Sequence, residues 1–266
     1  FARALGKVGY RDVLQDLMSI TPFDPEYART EFLTALRYQF DDGRAVRQYE
    51  RFKGAGHDER MYMDSPVWMV DTLVRYLCDT GDFKILKQKI PFLRSHMRGS
   101  VYDHAKRGLE SCFRRRDRRG LCLVGHGDWN DALDGIGRGG RGVSVWLSMA
   151  LVYFGRQVLR LAQFLNDSKG VKQFQKYIRV MTKNINRHAW DGKYYVYGFD
   201  DKGHAIGSHR NLEGKIHLNV NTWALMSGVA QAAGRAGMVV RSIEKLDTPI
   251  GHLLLDPPYT AKSKHV

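Results

Sequence analysis

The sequence predicts a mainly α-helical protein, and three observations support this. Over most of the chain, apolar residues recur every three or four positions, as they do on the buried face of a helix. Helix-start signals and glycine stops separate these patterns from one another. Only one stretch, 193–199 (KYYVYGF), has the aromatic and β-branched composition of a strand.

Two of the predicted helices have well-defined ends. Asp24 followed by Pro25 provides an N-cap and a first-turn proline, and an apolar helical pattern follows. Ser65 followed by Pro66 repeats this start, and its helix is predicted to stop at Gly81. Five further helical patterns lie at about 9–20, 91–109, 143–166, 172–188 and 220–236.

The remaining segments are one predicted hairpin and two long connections. The DDKG turn after KYYVYGF allows a small β-hairpin with Ala205 and Ile206. The glycine-rich connections 41–63 and 121–142 are longer than a helical bundle needs to reverse direction, and such connections often carry function. Because the chain has no repeat and no flexible linker, it is expected to form one helical domain.

The composition excludes several classes of protein. With 43% hydrophobic and 26% charged residues among 266, the chain is neither disordered nor collagen-like. No apolar run is long enough to span a membrane. The three cysteines are too few for a disulfide framework and have no CxxC spacing, so a cytoplasmic location is expected. The absence of an initiator Met and the AKSKHV end suggest a piece of a longer product.

The charge favours anionic partners without choosing among them. Lys and Arg number 42 against 28 Asp and Glu, which gives a formal net charge of +14. Phosphate, sugar phosphates, nucleic acids and anionic lipid surfaces would all be attracted. The densest basic run, FRRRDRRG at 113–120, is either a phosphate-neutralising patch or a solvated loop. No nucleic-acid-binding motif accompanies it, so the solvated loop is favoured and no nucleic-acid partner is expected.

The most informative run is GHGDWNDALDGIGRGGRG at 125–142, where Asp128, Asp131 and Asp134 lie near Trp129. Carboxylates beside a flat aromatic suit a sugar ring, and a protonated Asp can donate to a glycosidic oxygen. Alternatively, the run is a glycine-rich turn whose aspartates cap the following helix. A calcium loop fits poorly, because Ala132 occupies the fifth position and no acidic residue occupies the twelfth.

The residues alone leave the choice of acid open. Neighbouring carboxylates and burial both favour the neutral form of an Asp. Either Asp128 or Asp131 could therefore be the group that stays protonated.

Two other runs have both functional and structural interpretations. The connection 41–69 brings Arg47 and Arg60 towards Asp64, and guanidinium groups bind phosphate oxygens in bidentate fashion. An ordinary solvated basic loop explains the same composition. The segment GYRDVLQD, with Arg11 and Asp12, indicates only a helix when considered alone. The histidines have no metal-ligand spacing, and serine-nucleophile and P-loop patterns are absent.

Several segments together carry a resemblance to a known family. They are, in order, GYRDVLQD, GDFKILKQKIPFL, GLCLVGHGDWNDALD, GRGVSVW, HAWDGKYYV, EGKIHLNVNTWALMSG and LLLDPPYT. Spanning about 9–260, they resemble glycoside hydrolase family 94, the inverting β-glycan phosphorylases, which include the cellobiose and chitobiose enzymes and a module of cyclic β-1,2-glucan synthases. The resemblance implies an all-α (α/α)6 barrel, a six-hairpin toroid. About seven of twelve helices are visible, so 1–266 is expected to be part of that catalytic domain, with the barrel incomplete in this chain.

The resemblance also assigns roles to residues. The last Asp of the family's WND motif is its general acid, which here is Asp131, and Trp129 lines the sugar site. In the family, an Asp in a segment such as SDDLLW binds the sugar at the cleavage site. Asp64 matches it in MDSPVW, although Ser65 stands where the family has a second Asp.

The remaining site residues are predicted with them. The phosphate-binding Arg of the family precedes that segment, so Arg60 is the nearest match and Arg47 the alternative. Arg11, Asp12 and Asp128 complete the predicted substrate-binding set.

The implied reaction is phosphorolysis of a β-glucosidic bond, which gives α-glucose 1-phosphate and a shortened sugar. The expected partners are a β-linked oligosaccharide and inorganic phosphate as co-substrate, with no metal or organic cofactor and no direct membrane insertion. Family members are often dimers, and the sequence leaves open whether this chain forms a homodimer. Two alternatives remain: a phosphorylase-like module of a cyclic glucan synthase, and a carbohydrate-binding relic without turnover.

Overall fold

The computed structural model describes residues 6–52 and 54–260, so the AKSKHV end lies outside the described residues. The chain divides into two compact units. The first contains residues up to Arg114 together with Gln157–Asp167, and the second contains Arg115–Arg156 with residues from Ser168 onward. Helices dominate both units, and the strands are two or three residues long.

The first unit is built from four helices and two short antiparallel strand pairs, β1 with β2 and β3 with β4. Its elements are β1 (Lys7–Gly9), α1 (Tyr10–Ile20), α2 (Pro25–Leu36), β2 (Gln48–Glu50), α3 (Trp68–Thr80), β3 (Lys89–Pro91), β4 (Arg98–Ser100) and α4 (Val101–Arg114). The predicted cap of α2 is confirmed, because the Asp24 carboxylate accepts from the Tyr27 N–H at 3.0 Å. The predicted end of α3 is confirmed as well, since Gly81 adopts a φ of 68° that favours glycine.

Two details of the helix predictions in this unit are wrong. Ser65 does not start α3: a single 3-10 turn, Ser65–Val67, comes first. The pattern at 91–109 is helical only from Val101, where the Asp103 N–H donates to Ser100 Oγ and the Ser100 N–H donates to Asp103 Oδ2. This reciprocal cap fixes the helix start, and the residues before it form β3, a turn and β4.

The second unit contains most of α5 (Val145–Phe164), whose last turns belong to the first unit, together with three further helices and seven short strands. The other elements are β5 (Val143–Ser144), α6 (Ser168–His188), β6 (Gly198–Phe199), β7 (Ala205–Ile206), β8 (Ile216–His217), α7 (Leu218–Met226), α8 (Ala236–Ile243), β9 (Asp247–Thr248), β10 (Gly251–His252) and β11 (Leu255–Asp256). Strands β5, β6 and β7 form an antiparallel sheet in that order, and β8 pairs with β11. The core of this unit includes Trp146, Phe154, Phe174 and Tyr197, all fully buried.

The predicted hairpin is confirmed as β6–β7, closed by the DDKG turn. The predicted strand is shorter than expected, because the N–H groups of Tyr195 and Val196 bond outside the β5–β6–β7 sheet. The Tyr195 N–H donates to the side chain of Asn221, and the Val196 N–H donates to the carbonyl of Ala189 at the end of α6. The pattern at 220–236 is likewise interrupted, because α7 ends at Met226, before Gly228 with its φ of 74°, and a 3-10 turn, Gln231–Ala233, follows.

The two long connections are present as predicted. Within their described residues they contain only short strands, bridges and 3-10 turns. Each leads into a largely buried helix: the first, through the 3-10 turn Ser65–Val67, into α3 and the second, through β5, into α5. Among residues 6–52 and 54–260, no helix has both the length and the apolar character needed to cross a bilayer.

Candidate active site

Asp131 lies on an exposed turn of the second long connection. It is the first residue of a 3-10 turn, Asp131–Leu133, capped by Asn130, whose side-chain oxygen accepts from the Ala132 N–H at 3.3 Å. The side chain of Asp131 is exposed to solvent. Gly137 closes the base of this loop, since a Cβ there would lie 2.7 Å from the Gly125 carbonyl oxygen. The sequence therefore folds into a loop that presents Asp131 at its surface.

Asp128, three residues earlier, is buried, and its hydrogen bonds anchor the start of the loop. Its side chain accepts hydrogen bonds from the Tyr197 hydroxyl at 2.6 Å, the Ser144 hydroxyl at 2.5 Å and the Asn130 N–H at 3.0 Å. Only 1% of Asp128 is exposed, so a carboxylate there depends on these donors in place of water. Asp128 thereby connects the turn that carries Asp131 to β5 and to the segment before β6.

A second carboxylate, Asp201 in the β6–β7 turn, holds the other end of the loop. Asp201 Oδ2 accepts from the Gly139 N–H at 2.6 Å, and Oδ1 accepts from the Arg141 and Gly142 N–H groups at 2.7 and 2.9 Å. The sequence reasoning missed this contact, because Asp201 is 59 to 62 residues away from its partners. The loop is therefore anchored at both ends by long-range hydrogen bonds.

Trp129 lies at the surface end of a row of aromatic rings. It is 39% exposed, and its ring centroid is 6.4 Å from that of Trp146, which is fully buried. Trp146 in turn makes an edge contact with Trp223 at 5.4 Å. An indole that is backed by packed rings and open on one side suits an apolar sugar face. Trp146 and Trp223 were not predicted as supporting residues, although GRGVSVW and NVNTW lie among the segments of the family resemblance.

His217 lies behind Tyr197 in the same unit. Its ring centroid is 4.8 Å from that of Tyr197, and its Nε2 is 3.1 Å from the Tyr259 hydroxyl. Burial lowers the pKa of His217 to about 4, because the charged imidazolium would lose its hydration. A neutral imidazole near neutral pH is consistent with a packing role next to the Asp128 contacts.

Asp64, Arg11 and Asp12 form a separate cluster in the first unit. Arg11 Nη1 and Trp68 Nε1 each donate to Asp64 Oδ2 at 3.0 Å, and Asp64 is fully buried. Arg11 Nε also lies 3.6 Å from Asp12 Oδ1, and Asp12 is exposed. Arg11 and Asp12 lie at the start of α1, and Arg11 contacts Asp64, which directly precedes the 3-10 turn Ser65–Val67. Three of the predicted substrate-binding residues therefore lie close together.

The two arginines predicted to bind phosphate converge on one carboxylate, also in the first unit. Arg60 Nη2 lies 2.7 Å and Arg47 Nη1 3.6 Å from Asp58 Oδ2. Both guanidinium groups also lie over the Tyr62 ring, at 4.3 Å for Arg47 and 5.9 Å for Arg60. The hydrogen bond from Arg60 holds the pKa of Asp58 below its usual range. Each guanidinium therefore already interacts with Asp58.

The described residues contain no group of three or more His, Cys, Asp or Glu side chains arranged to hold a metal ion. His104, one of the histidines without ligand spacing, is instead buried in the first unit. Its Nδ1 lies 2.6 Å from Gln39 Oε1, and its Nε2 lies 3.2 Å from the Ile90 carbonyl oxygen.

Comparison of the chain with solved structures shows its fold. A GH63 mannosylglycerate hydrolase from Thermus thermophilus, in complex with glucose, superposes with a TM-score of 0.64 at 14% identity. The match covers 90% of this chain and 71% of that chain. The structural relatives are of the six-hairpin glycosidase type, which confirms the predicted all-α (α/α)6 class with only small sheets.

Comparison with characterised proteins identifies relatives by sequence. The chain is 38% identical over 260 residues to the solabiose phosphorylase of Paenibacillus borealis, covering 97% of this chain and 33% of that protein. It is 30% identical over 274 residues to the cyclic β-(1,2)-glucan synthase of Rhizobium meliloti, covering 97% of this chain and 9% of that protein. The chain thus spans about a third of the length of the phosphorylase. The profile described as "Glycosyl hydrolase 94 superfamily, catalytic domain" matches residues 3–266, and the chain belongs to this family.

Proposed function

We propose that the protein is an inverting phosphorylase that cleaves a β-glucosidic bond in an oligosaccharide and releases α-glucose 1-phosphate and a shortened sugar. The observation that carries this proposal is Asp131. In a chain of family 94, it is an exposed carboxyl group on an anchored loop, next to the half-exposed Trp129. The similarity to a named phosphorylase over nearly the whole chain supports the same reaction class.

The reaction needs one acid, because phosphate is itself an anionic nucleophile and requires no base to activate it. Asp131 gives its proton to the glycosidic oxygen as the bond from that oxygen to the anomeric carbon breaks. A phosphate oxygen attacks the anomeric carbon from the opposite face, so the β-linkage yields the α-phosphate. Over the cycle, the proton that Asp131 gives is replaced by the one that phosphate loses. This chemistry calls for no metal or organic cofactor.

The other predicted site residues bind and orient the two substrates in this proposal. Trp129 provides the apolar platform for a sugar ring. Asp64 is fully buried and contributes by holding Arg11 and Trp68 in place, and Asp12 extends the same polar cluster to the surface. Asp128 acts on the sugar through the loop that it supports.

Phosphate is assigned to the first unit. Arg60 or Arg47 offsets its charge, and Arg60 is the better placed because half of its side chain is exposed, against a quarter for Arg47.

A second candidate function is favoured by one comparison. Because the chain is 30% identical to part of a cyclic β-(1,2)-glucan synthase, it is also consistent with a phosphorylase-like module that adjusts chain length inside such an enzyme. The sequence flanking this chain separates the two. A glycosyltransferase domain and membrane-spanning segments there would favour the synthase.

The test is phosphate release by the full-length protein supplied with α-glucose 1-phosphate and a panel of acceptors: glucose, cellobiose, sophorose, laminaribiose and N-acetylglucosamine. A phosphorylase releases phosphate with one or a few of these acceptors. In the forward direction, it cleaves the oligosaccharide formed with that acceptor only when phosphate is present. Release of free glucose without phosphate would identify a hydrolase and contradict the proposal. Sugar binding with no turnover in either direction would favour the carbohydrate-binding alternative.

A further inference from the structure

A basic cavity of about 550 Å³ lies in the second unit, outside the residues assigned to the active site. It is lined by the basic run that follows α4, by Gly140 and Arg141 near the end of the Asp131 loop, and by the β6–β7 turn. Its volume falls within the range of about 300–1,000 Å³ typical of small-molecule sites. The basic run at 113–120, which the proposed reaction does not use, therefore forms part of a concave surface.

The three carboxylates around this cavity accept hydrogen bonds from other groups of the protein. Asp117 accepts from the N–H groups of Arg119 and Leu121 at 2.9 and 3.1 Å, and from the Arg119 guanidinium at 2.7 Å. Asp200 accepts from two N–H groups of its own turn, at 2.8 and 2.9 Å. Asp201 accepts from three N–H groups of the Asp131 loop. These hydrogen bonds fix the walls of the cavity and hold the carboxylates to the backbone.

Three cationic side chains at the cavity remain available to a ligand. Arg118, Arg141 and Lys202 are exposed, and no described residue offers a carboxylate to any of them. Arg119 is different, because it is paired with Asp117 and its guanidinium covers the Phe199 ring at 4.2 Å. The covered ring is not available for stacking, so recognition here rests on charge. Two guanidinium forks and an ammonium group suit a compact oxyanion, which guanidinium binds through paired hydrogen bonds.

The cavity is connected to the Asp131 loop by the chain itself and by hydrogen bonds. The connection between α4 and β5 carries both the basic run and Asp131, and Asp201 in the cavity wall anchors the Gly139, Arg141 and Gly142 N–H groups of that loop. A group bound between Arg118 and Arg141 would therefore contact the same loop that presents the proposed acid.

We propose that this cavity binds a compact oxyanion carried by a sugar, namely the carboxylate of an acidic sugar or a phosphate ester. The sugar part of this inference rests on the proposed function, which supplies carbohydrate as the carrier, whereas the oxyanion part rests on the cavity. Such a site would favour oligosaccharides with an anionic unit over neutral ones.

The test is titration calorimetry on the full-length protein at fixed ionic strength, with glucuronate, glucose 6-phosphate, inorganic phosphate and glucose as separate probes. In the double variant Arg118→Gln with Arg141→Gln, the affinity for both sugar anions should fall by about 10- to 100-fold, as expected for losing charge-assisted hydrogen bonds. Glucose binding should not change. The titration with inorganic phosphate shows whether the sugar is recognised as well as the anion. An equal loss of affinity for inorganic phosphate would mean that the site recognises the oxyanion alone.

The matched control is Arg241→Gln, which removes an exposed charge on α8 that is not among the cavity-lining residues. Unchanged affinity of the double variant for both sugar anions, or an equal loss in Arg241→Gln, would overturn the proposal. A short single-stranded oligonucleotide that binds more tightly than the sugar anions and loses affinity in the double variant would also overturn it, in favour of a polyanion site. The same titrations on Asp131→Asn separate the two hypotheses, because anion binding should persist there whether or not the protein proves to be a phosphorylase.

Discussion

Replacing Tyr197 by Phe should weaken the support beneath the proposed acid without touching any residue that meets substrate. Tyr197 is fully buried, and its hydroxyl donates to the Asp128 carboxylate at 2.6 Å. Asp128 is 1% exposed, so water cannot readily replace the lost donor. Because a hydrogen bond to a buried charged group contributes about 1.5–3 kcal/mol, we expect the free energy of unfolding to fall by about that amount. We also expect kcat to fall by about 10-fold, since small displacements of a catalytic group are costly.

The control is Tyr195→Phe, which removes a hydroxyl from an equally buried ring two residues away. That hydroxyl donates to Asn186 Oδ1 and also interacts with the Arg235 guanidinium, so its removal should cost a similar amount, about 1.5–3 kcal/mol. It should leave kcat unchanged, because, among the described residues, neither Asn186 nor Arg235 bonds to the Asp131 loop. Both variants of the full-length protein would be compared by urea unfolding and by steady-state phosphorolysis. If Tyr197→Phe matches Tyr195→Phe in kcat, the charged contact to Asp128 does not hold the loop, and the reasoning is refuted.

Three further predictions concern the first unit and the pH dependence. Asp64→Asn leaves Arg11 without its buried ionic partner and should destabilise the protein by about 3 kcal/mol while raising the KM for the oligosaccharide; an unchanged melting temperature and KM would contradict this. Arg60→Gln should raise the KM for phosphate more than Arg47→Gln does and leave the KM for sugar unchanged, since Arg60 is the more exposed; the reverse order would reassign the phosphate contact. The pKa of His217 is about 4 in the folded protein against an ordinary 6.5, so its contribution to stability is complete above pH 6.5 and is lost as the pH falls towards 4, by up to about 3 kcal/mol. Urea unfolding measured across this pH range should show that the free energy of unfolding falls less steeply towards acid pH in His217→Gln than in the wild type. An equal fall in the two proteins would exclude His217 as a cause.

Local signals in the sequence predicted most of the helices. The Asp24–Pro25 start and the Gly81 stop are set by hydrogen bonds and backbone angles within a few residues, so their sequence patterns are sufficient. The helix predicted at 91–100 was wrong because the prediction followed the apolar spacing. It did not take into account the reciprocal Ser100–Asp103 cap, which makes the helix begin only at Val101.

The supports of the Asp131 loop could not be predicted in the same way. Tyr197 reaches Asp128 across 69 residues, and Asp201 reaches Gly139 across 62. Periodicity and spacing do not predict such contacts, because they depend on how the β5–β6–β7 sheet brings the connection 121–142 to the segment before β6 and to the β6–β7 turn. The resemblance named Asp131 and Trp129, and only the folded chain shows which buried groups hold them.

The measurement that tests the central claim most directly is phosphorolysis by Asp131→Asn beside Asp134→Asn in the full-length protein. Both changes replace an exposed carboxylate of the same loop, and Asp134 forms an ion pair with the exposed Arg138 at 3.1 Å. Asp131→Asn should lower kcat by about 10²- to 10⁴-fold with an unchanged melting temperature, as expected for loss of a general acid, and Asp134→Asn should remain close to wild type. Near-normal turnover in Asp131→Asn, or an equal loss in both variants, would contradict the assignment of Asp131 as the acid.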